Sequence, residues 1–118
     1  MIVKKPTIVI YTCQADETLL REVCAGIEEE GVLYELASRS FGNADALSLL
    51  ACDTSMLGVG IGMNGKSMSL HIKGMNVNRG SDETMALFAY EAPSADEARG
   101  LGANGARVIK KRPLRLSE

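Results

Sequence analysis

Eight consecutive residues, Gly60-Ile61-Gly62-Met63-Asn64-Gly65-Lys66-Ser67, satisfy the phosphate-loop pattern G-x-x-x-x-G-K-[ST] letter for letter. Such a loop holds nucleotide because its backbone N–H groups and the N-terminus of the helix that follows face the phosphates together. Here Met68, Leu70 and Ile72 alternate with other residues after Ser67, which is the period of a strand. No helix is expected where a phosphate needs one. Nor does a later apolar strand end in an Asp that would hold Mg²⁺. The same letters read better as a hairpin, with Asn64-Gly65 as the turn, because both residues tolerate positive φ. The chain is therefore expected neither to bind nor to hydrolyse ATP.

Three further groups of residues carry potential chemistry. His71, the single histidine, lies in the strand after the hairpin, on the face opposite Leu70 and Ile72. A histidine can act as a general base, but no Ser-His-Asp or Cys-His arrangement follows from local spacing, and a surface position is expected. Cys13 follows the first strand, where α/β folds place ligands. A reactive thiol there needs a lowered pKa, and the neighbouring Asp16 and Glu17 oppose that, so a structural role is expected. Glu28-Glu29-Glu30 ends the first helix, where carboxylates oppose the helix dipole. That run is either a solvated face or a site for a hard cation or a partner.

These residues must be positioned by ordinary elements. Thr7 to Thr12 is a β-branched run and reads as a buried strand. Asp16 caps a helix carrying Leu19, Leu20, Val23, Cys24 and Ile27 at helical spacing, and Gly31 ends it. Val32 to Leu36 reads as a second strand. Gly42 and Asn43 open a second helix, closed by Asp53 to Ser55. Leu57, Val59, Ile61 and Met63 then alternate with Gly58, Gly60 and Gly62, which leaves one strand face bare for another backbone to approach. The stretch 74–84 reads as a loop and Met85 to Tyr90 as a fifth strand. Ser94-Ala95-Asp96-Glu97 is a capping box for a last helix reaching about Lys110, stopped by Pro113. Ala98, Leu101, Gly105, Val108 and Ile109 form its inner face. Gly100, Gly102 and Gly105 each cost that helix roughly 1 kcal/mol relative to Ala, so close packing is expected to offset them. The order predicts a three-layer α/β/α domain, residues 1–118, with a mixed five-stranded sheet and one antiparallel strand.

Composition narrows the function classes. The chain has 118 residues, 46% of them hydrophobic and 24% charged, the values of one globular domain. Its net charge of -2 argues against a nucleic-acid binder, which normally carries a basic excess, and against a polybasic membrane binder. Trp is absent and aromatics are 4%, too few for a stacking platform. Cys13, Cys24 and Cys52 form no C-x-x-C pair, which fits neither a disulfide framework nor a zinc site and suits a reducing cytoplasm. No signal peptide and no membrane span is expected.

Three blocks carry a family resemblance. Glu22-Val23-Cys24-Ala25-Gly26-Ile27-Glu28-Glu29-Glu30-Gly31-Val32 resembles the first-helix motif of the small subunits of diol and glycerol dehydratase-reactivating factors. Leu57-Gly58-Val59-Gly60-Ile61 resembles their central strand. Leu101-Gly102-Ala103-Asn104-Gly105-Ala106-Arg107-Val108-Ile109-Lys110, followed by Pro113-Leu114, resembles their C-terminal helix signature. The resemblance implies the fold of the dehydratase medium subunit, which is anticodon-binding-domain-like. It also implies a hetero-oligomer with a large actin-like ATPase subunit, acting as a chaperone for adenosylcobalamin-dependent dehydratases. Such a pair releases inactivated cobalamin, with the small subunit exchanging with the dehydratase's medium subunit. The ATP site then belongs to the large subunit, and this chain carries no catalytic residue and no cofactor of its own. Aligned on the Gly-Val that follows, Glu29 takes the role of a ligand to Mg²⁺ or Ca²⁺ shared between subunits. The implied location is the cytoplasm, free or inside a bacterial microcompartment. Two other readings stand beside this one. The first is the dehydratase medium subunit itself, which is normally much longer. The second is a small α/β enzyme using Cys13 or His71.

Overall fold

Local signals start each helix of the computed structural model, which describes residues 6–74 and 88–110. Strand β1 (Ile8–Cys13) leads into helix α1 (Glu17–Glu29), capped by the Asp16 carboxylate, which accepts from the Leu19 N–H at 3.0 Å. After strand β2 (Tyr34–Ser38), helix α2 (Ala44–Thr54) is capped by Asn43, which accepts from the Ala46 N–H at 2.8 Å. Strands β3 (Val59–Asn64), β4 (Ser67–Ile72) and β5 (Phe88–Glu91) follow. Helix α3 (Ala95–Ile109) opens with the expected capping box, Ser94 and Glu97 each bonding the other's backbone N–H. Each cap contributes about 1 kcal/mol.

The strands form one five-stranded sheet in the order β2-β1-β3-β4-β5. β1 is parallel to β2 and β3, while β4 is antiparallel to β3 and β5. The mixed sheet with a single reversed strand is therefore the one expected. The expected loop beyond Gly74, the first residues of the expected fifth strand (85–87), and Pro113 with its neighbours lie outside the described residues.

Several strand boundaries differ from the sequence reading, two of them with a clear cause. β2 starts at Tyr34 rather than Val32, because the parallel ladder with β1 begins at the Ile8–Tyr34 pair, just after the Ile8 N–H bonds the Leu33 carbonyl at 3.0 Å. The hairpin turn is Gly65-Lys66 rather than Asn64-Gly65, since Asn64 still pairs with Ser67. Gly65 supplies the left-handed turn residue, with φ of 57°. Asn64 stays in the strand, where its side-chain amide donates to the Gly42 carbonyl at 2.7 Å.

The sheet presents two different faces. On one, Ile8, Ile10, Val59, Ile61, Met63, Met68, Leu70 and Ile72 pack with Leu19, Val23 and Ile27 of α1 and Ala98, Leu101 and Ala106 of α3. On the other lies α2, seated directly on Gly60 and Gly62. A Cβ at either glycine would fall on the α2 backbone, at Ser48 and Cys52 for Gly60 and at Ala44 and Ser48 for Gly62. The bare strand face is thus covered by a closely approaching helix, as its glycines predict. Glycines also bring α1 and α3 together. A Cβ at Gly26 would fall on the Arg99 carbonyl, and one at Gly102 on the Val23 carbonyl. Gly105 faces the sheet, with Val59 Cγ1 3.3 Å and Leu70 Cδ1 3.5 Å from where a Cβ would sit. Gly100 has open space around it, so close packing does not account for that glycine.

Candidate functional site

The phosphate-loop letters form a hairpin. Gly60 to Asn64 complete β3, Gly65-Lys66 make the turn, and Ser67 begins β4. Lys66 is exposed on the turn. The glycines of the motif serve the contact with α2 and the turn, and a strand occupies the position where a phosphate-binding helix would start.

His71 is buried, only 3% exposed, which corrects the expected surface position. The reason lies in the register. His71 pairs with Gly60 across the β3–β4 ladder, so it shares the bare face that α2 covers. Its Nδ1 lies 2.7 Å from Ser48 Oγ on α2, and that hydroxyl also lies 2.9 Å from the Asp45 carbonyl. A hydroxyl has one proton, so when Ser48 donates to the carbonyl, Nδ1 must carry a proton and donate to Ser48. Beside this pair, Ser69 donates to the Asp45 carboxylate. Ser48 is fully buried, so the Ser–His pair holds α2 on the sheet and is sealed from any substrate.

Of the thiols, Cys24 and Cys52 are buried. Cys13 is half-buried, with Sγ 3.7 Å from the Ser40 carbonyl. Burial pushes the Cys24 and Cys52 thiols up, away from the thiolate form that reacts. A hydrogen bond with Cys24, reinforced by burial, pushes the Tyr34 phenol up to about 12. Two open clefts of about 440 and 470 Å³ flank α2, and neither is lined by a cysteine or the histidine.

The acidic end of α1 is arranged quite differently. Its three glutamates have distinct surroundings. Glu28 is exposed. The Glu30 side chain is only 8% exposed and binds Arg107 Nε at 3.0 Å and Lys110 Nζ at 3.4 Å. Burial pushes the Glu30 carboxyl up, but these two cations outweigh it and leave the group below its ordinary value. Lys110 also donates to the Glu30 carbonyl at 2.7 Å, so α3 supplies the positive charge that the end of α1 lacks. Glu29 is 48% exposed, with Arg99 Nη1 3.6 Å from its Oε2. The same guanidinium meets Glu22 at 2.8 Å. Sequence reasoning points to Glu29 but misses Arg99, Arg107 and Lys110. Among the described residues no three His, Cys, Asp or Glu side chains converge as a metal-holding group. Glu29 is thus an accessible carboxylate at the edge of the chain, able to offer oxygen to a hard ion whose remaining ligands come from elsewhere.

A family profile described as dehydratase medium subunit matches residues 5–115. The propanediol dehydratase-reactivating factor small subunit of Salmonella typhimurium is 32% identical over 110 residues, covering 93% of this chain and 90% of that protein. The chain belongs to the dehydratase medium-subunit family, among the small subunits of the reactivating factors. Another such small subunit, of diol dehydratase-reactivating factor from Klebsiella michiganensis, is 31% identical and covers 93% of this chain and 84% of its own length. Among solved structures, diol dehydratase-reactivating factor complexed with ADP and Mg²⁺ matches with a TM-score of 0.82 at 29% identity, covering 95% of this chain and 99% of that one. A glycerol dehydratase reactivase chain matches with the same TM-score at 27% identity, covering 95% and 98%. A reactivating-factor small subunit implies a larger partner subunit. No helix among the described residues is long and apolar enough to cross a membrane.

Proposed function

We propose that this chain is the small subunit of a reactivating factor serving an adenosylcobalamin-dependent diol or glycerol dehydratase. It pairs with a large, actin-like ATPase subunit and exchanges with a dehydratase subunit of its own fold, so that damaged cobalamin leaves and intact coenzyme rebinds. Nucleotide chemistry belongs to the large subunit, and this chain contributes surface rather than catalysis. The observation that carries the reading is end-to-end likeness, 32% identity over 93% of the chain to a small subunit of this kind. Burial of His71 beneath α2 disfavours the alternative of a small α/β enzyme that uses this histidine.

The same reading assigns Glu29 as a ligand of a divalent ion between the subunits. Its exposed carboxylate at a helix C-terminus suits Mg²⁺ or Ca²⁺, which take oxygen ligands. One carboxylate does not fill a coordination shell, so oxygens of the large subunit complete it. The isolated chain is then expected to bind metal only weakly. Co-purification with a reactivase large subunit, in Mg²⁺ and in chelator, tests both parts. Association is expected in Mg²⁺, and Glu29→Ala should weaken it more than Glu28→Ala does. A Glu29→Ala chain that associates at wild-type strength with and without chelator returns the acidic run to a solvated face. Association with a dehydratase large subunit instead would favour the medium-subunit reading, which the family description suits.

A further inference from the structure

We propose that the chain pairs with a second copy of itself along the free edge of β2, antiparallel and with Ala37 on the two-fold axis.

β2 ends the sheet, with β1 as its one neighbour. Residues Glu35 to Ser38 are exposed, and so is Arg39 just beyond them. α2 packs on β1, β3 and β4 rather than on β2. The main chain sets which groups are available. The Leu33 carbonyl accepts from the Ile8 N–H at 3.0 Å, and the Arg39 N–H donates to the Thr12 carbonyl at 2.7 Å. Odd-numbered residues therefore turn their backbone groups towards β1, and alternation turns those of Tyr34, Leu36 and Ser38 outward. Edge strands are normally blunted by Lys, Pro or a bulge. Tyr34-Glu35-Leu36-Ala37-Ser38 has neither residue, its ladder with β1 is unbroken, and Leu36 stands 48% exposed at its centre.

Charge selects the partner and the register. Glu35 and Arg39 share one face of the strand but lie about 13 Å apart along it. Among the described residues neither has an ion-pair partner. Glu35 accepts from the Thr7 hydroxyl at 3.0 Å, and the Arg39 guanidinium lies 4.8 Å from the centre of the Tyr11 ring. That ring contact uses the flat face of the guanidinium and leaves its N–H donors for a carboxylate. With Ala37 on the axis, Glu35 of each copy stands opposite Arg39 of the other. Leu36 and Ser38 then exchange main-chain hydrogen bonds between copies, as their outward groups require. The two Leu36 side chains meet diagonally across the axis. Leu33, 56% exposed, runs towards Phe41 of the other copy, 83% exposed. A shift of two residues either way sets Glu35 opposite Ala37 or Phe41 and loses both ion pairs. The symmetry repeats every favourable contact, so one short self-complementary strand supplies the whole interface.

Sedimentation equilibrium of the full chain, carried into the millimolar range, reads the dimer. A monomer–dimer equilibrium is expected, weakened by added salt. Glu35→Lys and Arg39→Glu should each raise the dimer dissociation constant about ten-fold, because attractive pairs become repulsive. The combined variant should recover wild-type affinity. Crosslinking then reads the register in a Cys13→Ser background, where the remaining native thiols are buried. Ala37→Cys should form an intermolecular disulfide on mild oxidation, because facing residues of a non-hydrogen-bonded pair lie about 4.5 Å apart. Leu36→Cys should crosslink far less, being about 7–8 Å from its counterpart. A chain that stays monomeric throughout overturns the proposal. So does a dimer that neither charge reversal weakens, one that the combined variant does not restore, or a crosslink that favours Leu36→Cys. Should a charge variant fail to fold, the two cysteine variants decide alone. A monomeric chain whose Leu36→Lys variant loses a reactivase large subunit gives the edge to that partner and overturns the proposal too.

Discussion

The two faces of the sheet are held by different physics. Beneath α1 and α3, strand side chains are branched or long, and the layers interlock side chain to side chain around Ile61, Met63 and Leu70. Beneath α2, the strand offers glycine backbone at Gly60 and Gly62, then Ser69 and His71 at the margin. There the helix comes down almost to backbone contact and is pinned by a few polar bonds. An apolar layer absorbs small changes of volume by shifting side chains. A backbone-to-backbone contact has nothing soft to shift.

That difference predicts opposite sensitivities to one carbon. Gly62→Ala adds a methyl that would overlap the α2 backbone at Ala44 and Ser48. It should cost roughly 3 kcal/mol or more, at the upper end of overpacking. Ile61→Val removes one carbon from the neighbouring position on the other face and should cost only about 1 kcal/mol. Urea midpoints at unchanged slope measure both, and a smaller loss for Gly62→Ala would mean that α2 can lift without penalty. Next in size, Ser48→Ala removes the hydroxyl facing His71 Nδ1 at 2.7 Å and should cost about 1–3 kcal/mol. A loss below about half a kcal/mol would show that the polar bonds do not pin the helix. The smallest effect is a gain. Gly100 has no neighbour within 4 Å of the place a methyl carbon would take, so Gly100→Ala should stabilise α3 by roughly 0.5–1 kcal/mol. A destabilised variant would refute the open space described around it.

The elements are legible in the sequence because their signals are local. Asp16, Asn43 and the Ser94–Glu97 box sit within a few residues of the backbone groups they satisfy, and strand periods are read over a handful of positions. The candidate site is legible only in part. Alternation puts His71 on the correct face, but its burial depends on α2, whose Ser48 lies 23 residues away in sequence. The bare glycine face holds the clue, because a histidine opposite Gly60 shares whatever covers Gly60. The charge partners of the acidic run are not legible at all. Arg107 and Lys110 reach Glu30 across 77 and 80 residues, and no local pattern sets that meeting. Glu29 itself stands out through family resemblance, since its residue type alone leaves a solvated face equally open.

The tight β3–β4 hairpin also bears on how the chain reaches this fold. Asn64 and Ser67 pair across two turn residues, whereas β1 meets β3 through pairs such as Val9 with Gly60. Loop closure is cheap for the first and slow for the second, and hairpins form in roughly 1–10 μs. The hairpin is therefore predicted to nucleate folding, with the parallel β1–β3 ladder zipping on afterwards. Pulse-labelled hydrogen exchange should protect the amides of Gly62 and His71, which bond across the hairpin, before that of Ile61, which faces β1, and the reverse order would place the nucleus elsewhere. The stretch that spells a nucleotide loop would then be the seed from which the rest of the domain condenses.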